Sequence, residues 1–160
     1  MKGMLESMPF YFWVNSMSVA QLQNRSLILF DLDGTLVDSA ADLYRAMNLS
    51  LEKLEFPLVT EEQVRAWVGK GAAKLCETVL EHIFGQVNTE QQTQLLDTFV
   101  DIYAQELCVN TQVYTGILPF LDYCQSHNMV MACVTNKPEH LARGILDILS
   151  LSPYFNMVIG

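Results

Sequence analysis

Three short runs of apolar residues predict buried β-strands. They are continuous rather than alternating, which is typical of strands covered on both faces in a parallel sheet. The runs lie at about residues 26–31, 129–134 and 155–159. Between the second and the third, Leu141, Ile145 and Leu149 recur at helical spacing. Strands that alternate with helices predict an α/β fold, here a doubly wound, Rossmann-like parallel sheet that is incomplete.

The chain between the first and second strands has the apolar spacing of helices throughout. Two capping boxes, Thr60 with Gln63 and Thr89 with Gln92, mark helix starts, and Ser39 is placed to cap the first helix. The apolar stripes of the four predicted helices are Leu43, Met47, Leu51 and Leu54; Val64, Trp67 and Val68; Leu75, Val79 and Ile83; and Leu95, Phe99, Tyr103 and Leu107. A plain helical bundle is an alternative, but it leaves the flanking strands unexplained.

The predicted domain boundaries follow from this pattern. Residues 40–110 form a helical cap, inserted into an α/β core made of residues 17–39 and 111–160. Residues 1–16 are expected to be a poorly ordered extension. Its apolar run Phe10–Val14 is too short to span a membrane, and no convincing signal-peptide cleavage site follows it.

Composition and charge narrow the class of partner. Hydrophobic residues make up 51% of the 160 residues, which is typical of a globular protein. The net charge of −9 disfavours nucleic acid and an anionic membrane surface. A small phosphate-ester substrate stays compatible, because a local cation can override the overall charge. The four cysteines show neither CxxC nor zinc-like spacing, so we expect free thiols and a cytoplasmic location.

The first predicted strand runs directly into two carboxylates, Asp31 and Asp33, followed by Gly34 and Thr35. Residues two apart at the end of a strand point to the same side, where open α/β sheets bind their ligands. Two close carboxylates repel unless a cation or a proton separates them, and Mg²⁺ suits both carboxylates and a substrate phosphate. One aspartate can then act as nucleophile and the other as proton donor. Gly34 permits a tight turn, and Thr35 offers its hydroxyl and a nearby N–H to phosphate oxygens.

An ordinary Asp-Gly turn at the end of a strand is the alternative for this segment. The Asp-x-Asp-Gly-Thr string specifies four positions, which average residue usage produces about once in 10⁵ starting points. Because an apolar strand also precedes the string, the functional interpretation is favoured.

The second strand ends in a comparable polar group, Thr135, Asn136 and Lys137, followed by Pro138. A helix N-terminus with a hydroxyl in front of it can bind an anion, and Pro138 suits the first helical position. Simple helix capping would explain Thr135 and Asn136 equally well in isolation. Their place beside the first strand favours phosphate binding. For Lys137, a solvated lysine near the helix start is at least as well supported as a substrate contact.

A third candidate is the glycine-bearing loop Gly69–Gly71, which encloses Lys70. Its backbone N–H groups and the ammonium could contact an anionic substrate. A helix C-cap with Gly69 at C′ and Lys70 in solvent explains the same residues, and the sequence leaves both interpretations open.

The string DLDGTLVDS at residues 31–39 resembles motif I of the haloacid dehalogenase-like phosphatases, and among these the chain is most similar to bacterial phosphoglycolate phosphatases. The resemblance implies that Asp31 attacks phosphorus to form an aspartyl-phosphate and that Asp33 is the general acid/base. It implies Mg²⁺ bound by the Asp31 carboxylate and the Asp33 backbone carbonyl. It also implies that Thr135 belongs to a phosphate-binding motif II and that Gly69–Gly71 is a specificity loop of a helical cap.

The expected function is Mg²⁺-dependent hydrolysis of a phosphomonoester, with 2-phosphoglycolate as the leading substrate by resemblance. The resemblance covers about residues 17–160, and the lysine of motif III and the acidic motif IV of the family have no counterpart in the sequence. We therefore expect little or no turnover from this chain. The alternatives are a sugar-phosphate mutase, another phosphatase of the superfamily or an inactive fragment. The sequence carries no signal of the oligomeric state.

Overall fold

A computed structural model describes residues 27–160. Its strands are β1 (Leu27–Phe30), β2 (Val37–Asp38), β3 (Gln112–Val113), β4 (Val130–Val134) and β5 (Met157–Ile159). Its helices are α1 (Ala40–Lys53), α2 (Glu61–Trp67), α3 (Ala72–Phe84), α4 (Thr89–Gln105), α5 (Ile117–Ser126) and α6 (Glu139–Ile148). No helix within residues 27–160 is both long and apolar enough to cross a membrane. The extension predicted at residues 1–16 lies outside the described residues.

The core of the fold is a parallel sheet with the strand order β1–β4–β5. Leu29 of β1 lies opposite Ala132 of β4, and Cys133 of β4 lies opposite Val158 of β5. Parallel neighbours require a crossover, which α6 supplies between β4 and β5. The predicted α/β class and incomplete parallel core are confirmed, and the strand ends lie within two residues of the predicted ones.

The two faces of this sheet differ in burial. Phe30, Met131 and Cys133 are buried on one face, where Phe30 makes edge-to-face contacts with Phe120 and Phe155. On the other face, alternate strand residues are exposed, namely Leu27, Leu29, Val130, Val134, Met157 and Ile159. The sequence pattern predicts cover on both faces, so the doubly wound arrangement is incomplete within the described part of the chain.

Helices α1–α4 are inserted between β2 and β3, and we refer to residues 40–105 as the helical insert. Every residue of that range is described, and no strand interrupts its helices, as predicted. β2 and β3 pair antiparallel, with Val37 opposite Val113, so the chain leaves the core and returns to it side by side. The sequence did not predict these strands, because two residues are too few to show a period of two.

A buried carboxylate, that of Asp42, connects the chain at the two ends of the helical insert, next to the β2–β3 pair. Asp42 in the first turn of α1 is 4% exposed. It accepts hydrogen bonds from the backbone N–H groups of Asn110 and Thr111 and from the Thr111 hydroxyl, at 2.6–3.0 Å. These bonds join the beginning of the insert to the segment that follows it.

One predicted helix cap is confirmed and another is wrong. Thr60 and Gln63 form the complete capping box at the start of α2. At α4 the cap is Asn88, whose side chain accepts from the Glu90 N–H at 2.8 Å, and Thr89 is already helical. Asn is at least as good an N-cap as Thr, so Asn88, one position earlier, displaces the predicted box.

The cysteines match the prediction of free thiols. Cys76, Cys108, Cys124 and Cys133 are unpaired. Burial raises the pKa of the Cys76 and Cys133 thiols to about 12, so both remain protonated and inert at neutral pH.

Candidate functional site

The turn after β1 aims both aspartates at one side. The Leu32 side chain is fully buried, and its carbonyl accepts hydrogen bonds from the Leu36 and Val37 N–H groups at 2.9 and 3.1 Å. Gly34 has a φ of +80°, which the tight turn requires and which a side chain would disfavour. Because Leu32 points into the core, its neighbours Asp31 and Asp33 point away from it, toward a cleft.

This cleft lies between the carboxyl end of the sheet and the helical insert, and it measures about 540 Å³ including its open mouth. We call its two sides the core wall and the insert wall. The core wall consists of Asp31, Asp33, Thr135, Asn136, Lys137, Pro138 and Leu141. The insert wall consists of Leu43, Val68, Gly69, Gly71, Ala72, Leu75, Phe99, Val100 and Tyr103. A concave site with an apolar lining and a few convergent polar groups suits a small organic ligand.

Asp31 has the environment of a group that is costly to ionise. Partial burial raises its pKa, and the charge of Asp33 acts in the same direction. Hydrogen bonding from the Leu32 N–H, which lies 2.8 Å from Asp31 Oδ1, and from the Thr135 side chain opposes that rise. Asp31 and Thr135 therefore meet in the cleft, as the pairing of the two strand ends predicts.

Asp33 is held by both of its carboxylate oxygens. The Ser39 hydroxyl donates to Oδ1 at 2.5 Å, and the Lys137 ammonium nitrogen lies 3.3 Å from Oδ2. The Asp33 side chain is 13% exposed, so both contacts are shielded from water. The orientation of Asp33 is therefore fixed independently of any ligand.

Ser39 lies at the start of the first helix as predicted, but its side chain does not cap that helix. Ser39 does occupy the N-cap position of α1, but its hydroxyl donates to Asp33 instead of accepting from the helix. The Asp38 carboxylate accepts from the Ala40 N–H at 3.2 Å in its place. Sequence reasoning missed Ser39 as a site residue. The available signal was its place at the end of the same nine-residue string that begins with Asp31.

Lys137 is buried in the site rather than solvated. It is 6% exposed, and its ammonium donates to Asp33 and to the hydroxyl of Tyr103, the latter at 3.1 Å. Burial lowers the pKa of Lys137, and the negative charge of Asp33 opposes that change. The solvated alternative left open by the sequence does not hold, and the cleft gains a cation beside its aspartates.

The segment between β4 and α6 is arranged as a turn ahead of the helix. The Thr135 hydroxyl accepts from the Lys137 N–H at 3.3 Å. Pro138 occupies the N-cap position of α6 and not the first helical position predicted for it, because the helix begins one residue later, at Glu139.

The glycine loop of the insert touches the core wall. Gly69 and Gly71 line the cleft with φ values of +111° and +87°. The Asn136 side-chain amide donates to the Gly69 carbonyl at 3.1 Å. A Cβ at Gly71 would lie 3.2 Å from the Asn136 carbonyl oxygen, so glycine permits this approach. Gly69 follows the C-cap residue Val68, as the helix-ending interpretation predicts.

Three of the predicted ligand-binding residues do not line the cleft. Gly34 shapes the turn, and the Thr35 N–H is bonded to the Leu32 carbonyl at 3.3 Å. Lys70 is exposed between the two glycines. Their predicted contacts with a substrate stay predictions.

The described residues fit Mg²⁺ with few protein ligands. Within residues 27–160, no three His, Cys, Asp or Glu side chains come together as a metal site. Ser39 and Lys137 already engage the Asp33 carboxylate, so a metal would rely on the Asp31 carboxylate and the Asp33 backbone carbonyl. Mg²⁺ tolerates such a sparse set, since it commonly keeps waters and a substrate phosphate as its other ligands.

Comparison with known proteins matches one family. Residues 28–160 match the model of the family described as haloacid dehalogenase-like hydrolase. The chain is 40% identical over 136 residues to a phosphoglycolate phosphatase of Pseudomonas savastanoi, covering 84% of this chain and 50% of the relative. It is 34% identical over 144 residues to a phosphoglycolate phosphatase of Caulobacter vibrioides, covering 90% of this chain and 61% of the relative.

Solved structures show the same fold. The crystal structure of a predicted phosphoglycolate phosphatase from Haemophilus somnus superposes with a TM-score of 0.79 at 28% identity, covering 85% of this chain and 62% of that one. A predicted phosphatase from Clostridium acetobutylicum gives a TM-score of 0.74 at 26% identity, covering 85% and 61%. The chain thus spans between half and two thirds of the length of these relatives.

Proposed function

Because the chain belongs to the haloacid dehalogenase-like hydrolase family, we propose that it is a phosphomonoester hydrolase that works through an aspartyl-phosphate on Asp31. The observation that carries this proposal is the meeting of Asp31, Asp33 and Thr135 at one cleft, with the buried cation Lys137 beside them. The relatives named phosphoglycolate phosphatase support 2-phosphoglycolate as the substrate.

In the first step, an oxygen of the Asp31 carboxylate attacks phosphorus, and the bond from phosphorus to the ester oxygen breaks. Asp33, in its protonated form, gives its proton to that leaving oxygen, so an alcohol departs. Lys137 and Ser39 stabilise the Asp33 carboxylate that remains. Thr135 and nearby N–H groups hold the phosphoryl oxygens.

In the second step, a water oxygen attacks the phosphorus of the aspartyl-phosphate. Asp33 accepts a proton from that water, and the bond between phosphorus and the Asp31 oxygen breaks. Inorganic phosphate leaves, and both aspartates return to their starting protonation states. The fixed orientation of Asp33 supports its use in both steps, because its oxygens are already aligned by Ser39 and Lys137.

The Asp31 carboxylate and the Asp33 backbone carbonyl would hold Mg²⁺. When bound, the ion supplies positive charge that offsets the repulsion between the aspartates and the phosphoryl oxygens.

The helical insert, together with the residues that follow it up to 110, is proposed to be a cap of residues 40–110 that covers the reacting groups and excludes water. Its contribution to the cleft is largely apolar, and its loop at Gly69–Gly71 reaches the core wall at Asn136. In this proposal the loop, together with Lys70, contacts the part of the substrate that leaves. The cleft and the acidic overall charge favour a small phosphate ester over a macromolecular substrate. The location proposed for the protein is the cytoplasm.

The test is phosphate release from a panel of small esters that includes 2-phosphoglycolate, with and without Mg²⁺. It uses the 160-residue chain and, where its gene encodes further residues, the complete product. Where a longer product exists, we expect Mg²⁺-dependent release from it and little or none from the 160-residue chain, and we expect Asp31→Asn to abolish that release. Release that survives this substitution would contradict the mechanism. Conversion of a sugar phosphate to its isomer without phosphate release would indicate a mutase instead.

A further inference from the structure

Tyr103 is a buried residue of α4 whose hydroxyl reaches the charged groups of the core wall. It is 2% exposed, and its Oη accepts a hydrogen bond from Lys137 Nζ at 3.1 Å. The same nitrogen lies 4.3 Å from the centre of the Tyr103 ring and 3.3 Å from Asp33 Oδ2. Contacts therefore run without a break from the helical insert through Lys137 to Asp33.

Lys137 depends on such a partner because its charge is out of water. An ammonium has three donors, and within residues 27–160 the side chains that hydrogen-bond it are those of Asp33 and Tyr103. A hydrogen bond to a buried charged group is stronger than one between neutral groups, and its loss costs more. Removal of the phenol oxygen would leave Asp33 to hold the ammonium alone.

The phenol is suited to be a fixed, neutral acceptor. Burial raises the pKa of Tyr103, and the charge of Asp33 adds to that rise, so the hydroxyl stays protonated at neutral pH. The ring stacks on Phe99, with ring centres 6.0 Å apart and planes 19° apart, which restricts its movement.

We propose that Tyr103 is a positioning residue of the phosphatase site. It holds the Lys137 ammonium against Asp33 Oδ2 when the insert is packed on the core, so the placement of the insert sets the orientation of the acid/base. Tyr103 transfers no proton and acts through Lys137. The inference rests on the proposed function, because Asp33 is an acid/base only if the chain hydrolyses phosphate esters.

Tyr103→Phe separates positioning from packing. It keeps the ring and its stack on Phe99 and removes the oxygen that meets Lys137. If Tyr103 served packing alone, this variant would behave like the wild type. The matched control is Tyr123→Phe on α5, because the buried Tyr123 hydroxyl has no hydrogen-bond partner within residues 27–160.

The first readout is kinetic, with 2-phosphoglycolate and p-nitrophenyl phosphate. For Tyr103→Phe we expect kcat to fall by about 10- to 100-fold, as for the loss of a hydrogen bond to a charged group. KM should stay within about threefold, because ground-state binding is retained. In a Lys137→Met background, Tyr103→Phe should cause no further loss. An unchanged kcat, or a full second loss in that background, would overturn the proposal.

The second readout does not need turnover. The ¹⁵N resonance of the Lys137 ammonium, identified by its absence in Lys137→Met, should move in Tyr103→Phe and stay in place in Tyr123→Phe. A resonance unmoved in Tyr103→Phe overturns the proposal whether or not the wild type is active. If the wild type releases no phosphate and the resonance still moves, the proposed function fails while the contact chain to Asp33 stands.

Discussion

The core wall and the insert wall of the cleft differ in what they offer a ligand. The core wall presents charged or polar groups that follow two parallel strands, among them Asp31, Asp33, Thr135 and Lys137. The insert wall is formed mainly by aliphatic and aromatic side chains of α1, α3 and α4, with Tyr103 bringing a hydroxyl to Lys137. The difference indicates a division of labour in which the core carries the reacting groups and the insert encloses them.

The two walls should also differ in whether their residues contribute mainly to the stability of the fold or to the reaction. The insert wall belongs to the continuous hydrophobic core of the molecule, so changes there should lower the free energy of unfolding. On the core wall, partial burial raises the pKa of Asp31, and the nearby charge of Asp33 adds to that rise, so ionised Asp31 is held there at a cost. Changes there should lower turnover more than stability.

The largest expected effect is that of Asp31→Asn. Loss of the nucleophile should reduce phosphate release by about 10³-fold or more. The thermal unfolding midpoint at pH 7 should stay the same or rise. Folding raises the Asp31 pKa, so the stability this group contributes is present below its unfolded pKa and is lost as pH increases through the folded pKa. The neutral amide removes that penalty, and unfolding scans at pH 7 beside activity assays check both parts.

If Asp31→Asn lowered the free energy of unfolding as much as an insert-wall variant does, the contrast between the two walls would fail. Asp31 would then contribute to stability in the same way as the packed residues of the insert wall. Asp122→Asn is a matched control, since Asp122 is an exposed aspartate on α5 that accepts from the Tyr154 hydroxyl at 2.6 Å, away from the cleft. It should leave phosphate release unchanged.

Asp33→Asn is expected to have the next largest effect on turnover. Loss of the acid/base should lower kcat by about 10²- to 10⁴-fold. The loss should be smaller for p-nitrophenyl phosphate than for 2-phosphoglycolate, because p-nitrophenolate leaves without needing a proton. Equal losses on both esters would argue that Asp33 orients other groups and transfers no proton. The measurement is kcat for the two esters in the wild type and the variant.

Leu75→Ala tests the insert wall. Leu75 of α3 is 3% exposed and lines the cleft, so truncation should lower the free energy of unfolding by about 2–5 kcal/mol. Urea unfolding measures the change, and Leu58→Ala, at an exposed leucine between α1 and α2, is the control. The comparison would be sharpened if the folded variant kept its kcat but gained activity toward bulkier esters, because the cleft would be wider.

The placement of three candidate site residues at one cleft could be predicted from the sequence, because each follows closely on a strand. Asp31, Asp33 and Thr135 come immediately after apolar runs, and the carboxyl ends of parallel strands meet at one edge. Two short local signals, a strand and a polar turn, were enough to bring them together. The fold class followed from the same runs, since strand–helix alternation leaves few other arrangements.

Tyr103, Lys137 and Ser39 show what local signals cannot convey. The stripe of α4 predicts that Tyr103 is buried, but not that its hydroxyl meets a lysine 34 residues further along. That contact depends on how the insert docks on the core. Ser39 has two competing partners, the N–H donors at the start of α1 and the acceptor oxygens of Asp33, and the tertiary turn decides between them. The sequence alone favours a solvated Lys137, because a buried lysine needs partners for its charge. Those partners, Asp33 and Tyr103, are distant from it in the sequence.

The smallest effect is expected far from the cleft, at the capping box of α2. Thr60→Ala removes the side chain that accepts from the Gln63 N–H, so the free energy of unfolding should fall by about 1 kcal/mol. Thr93→Ala is the matched control. Its hydroxyl donates to the Thr89 carbonyl inside α4 and caps nothing, so its removal should change stability by less. Since α2 leads into the glycine loop, a kcat loss in Thr60→Ala beyond its stability cost would extend the insert's role from enclosing the substrate to positioning it.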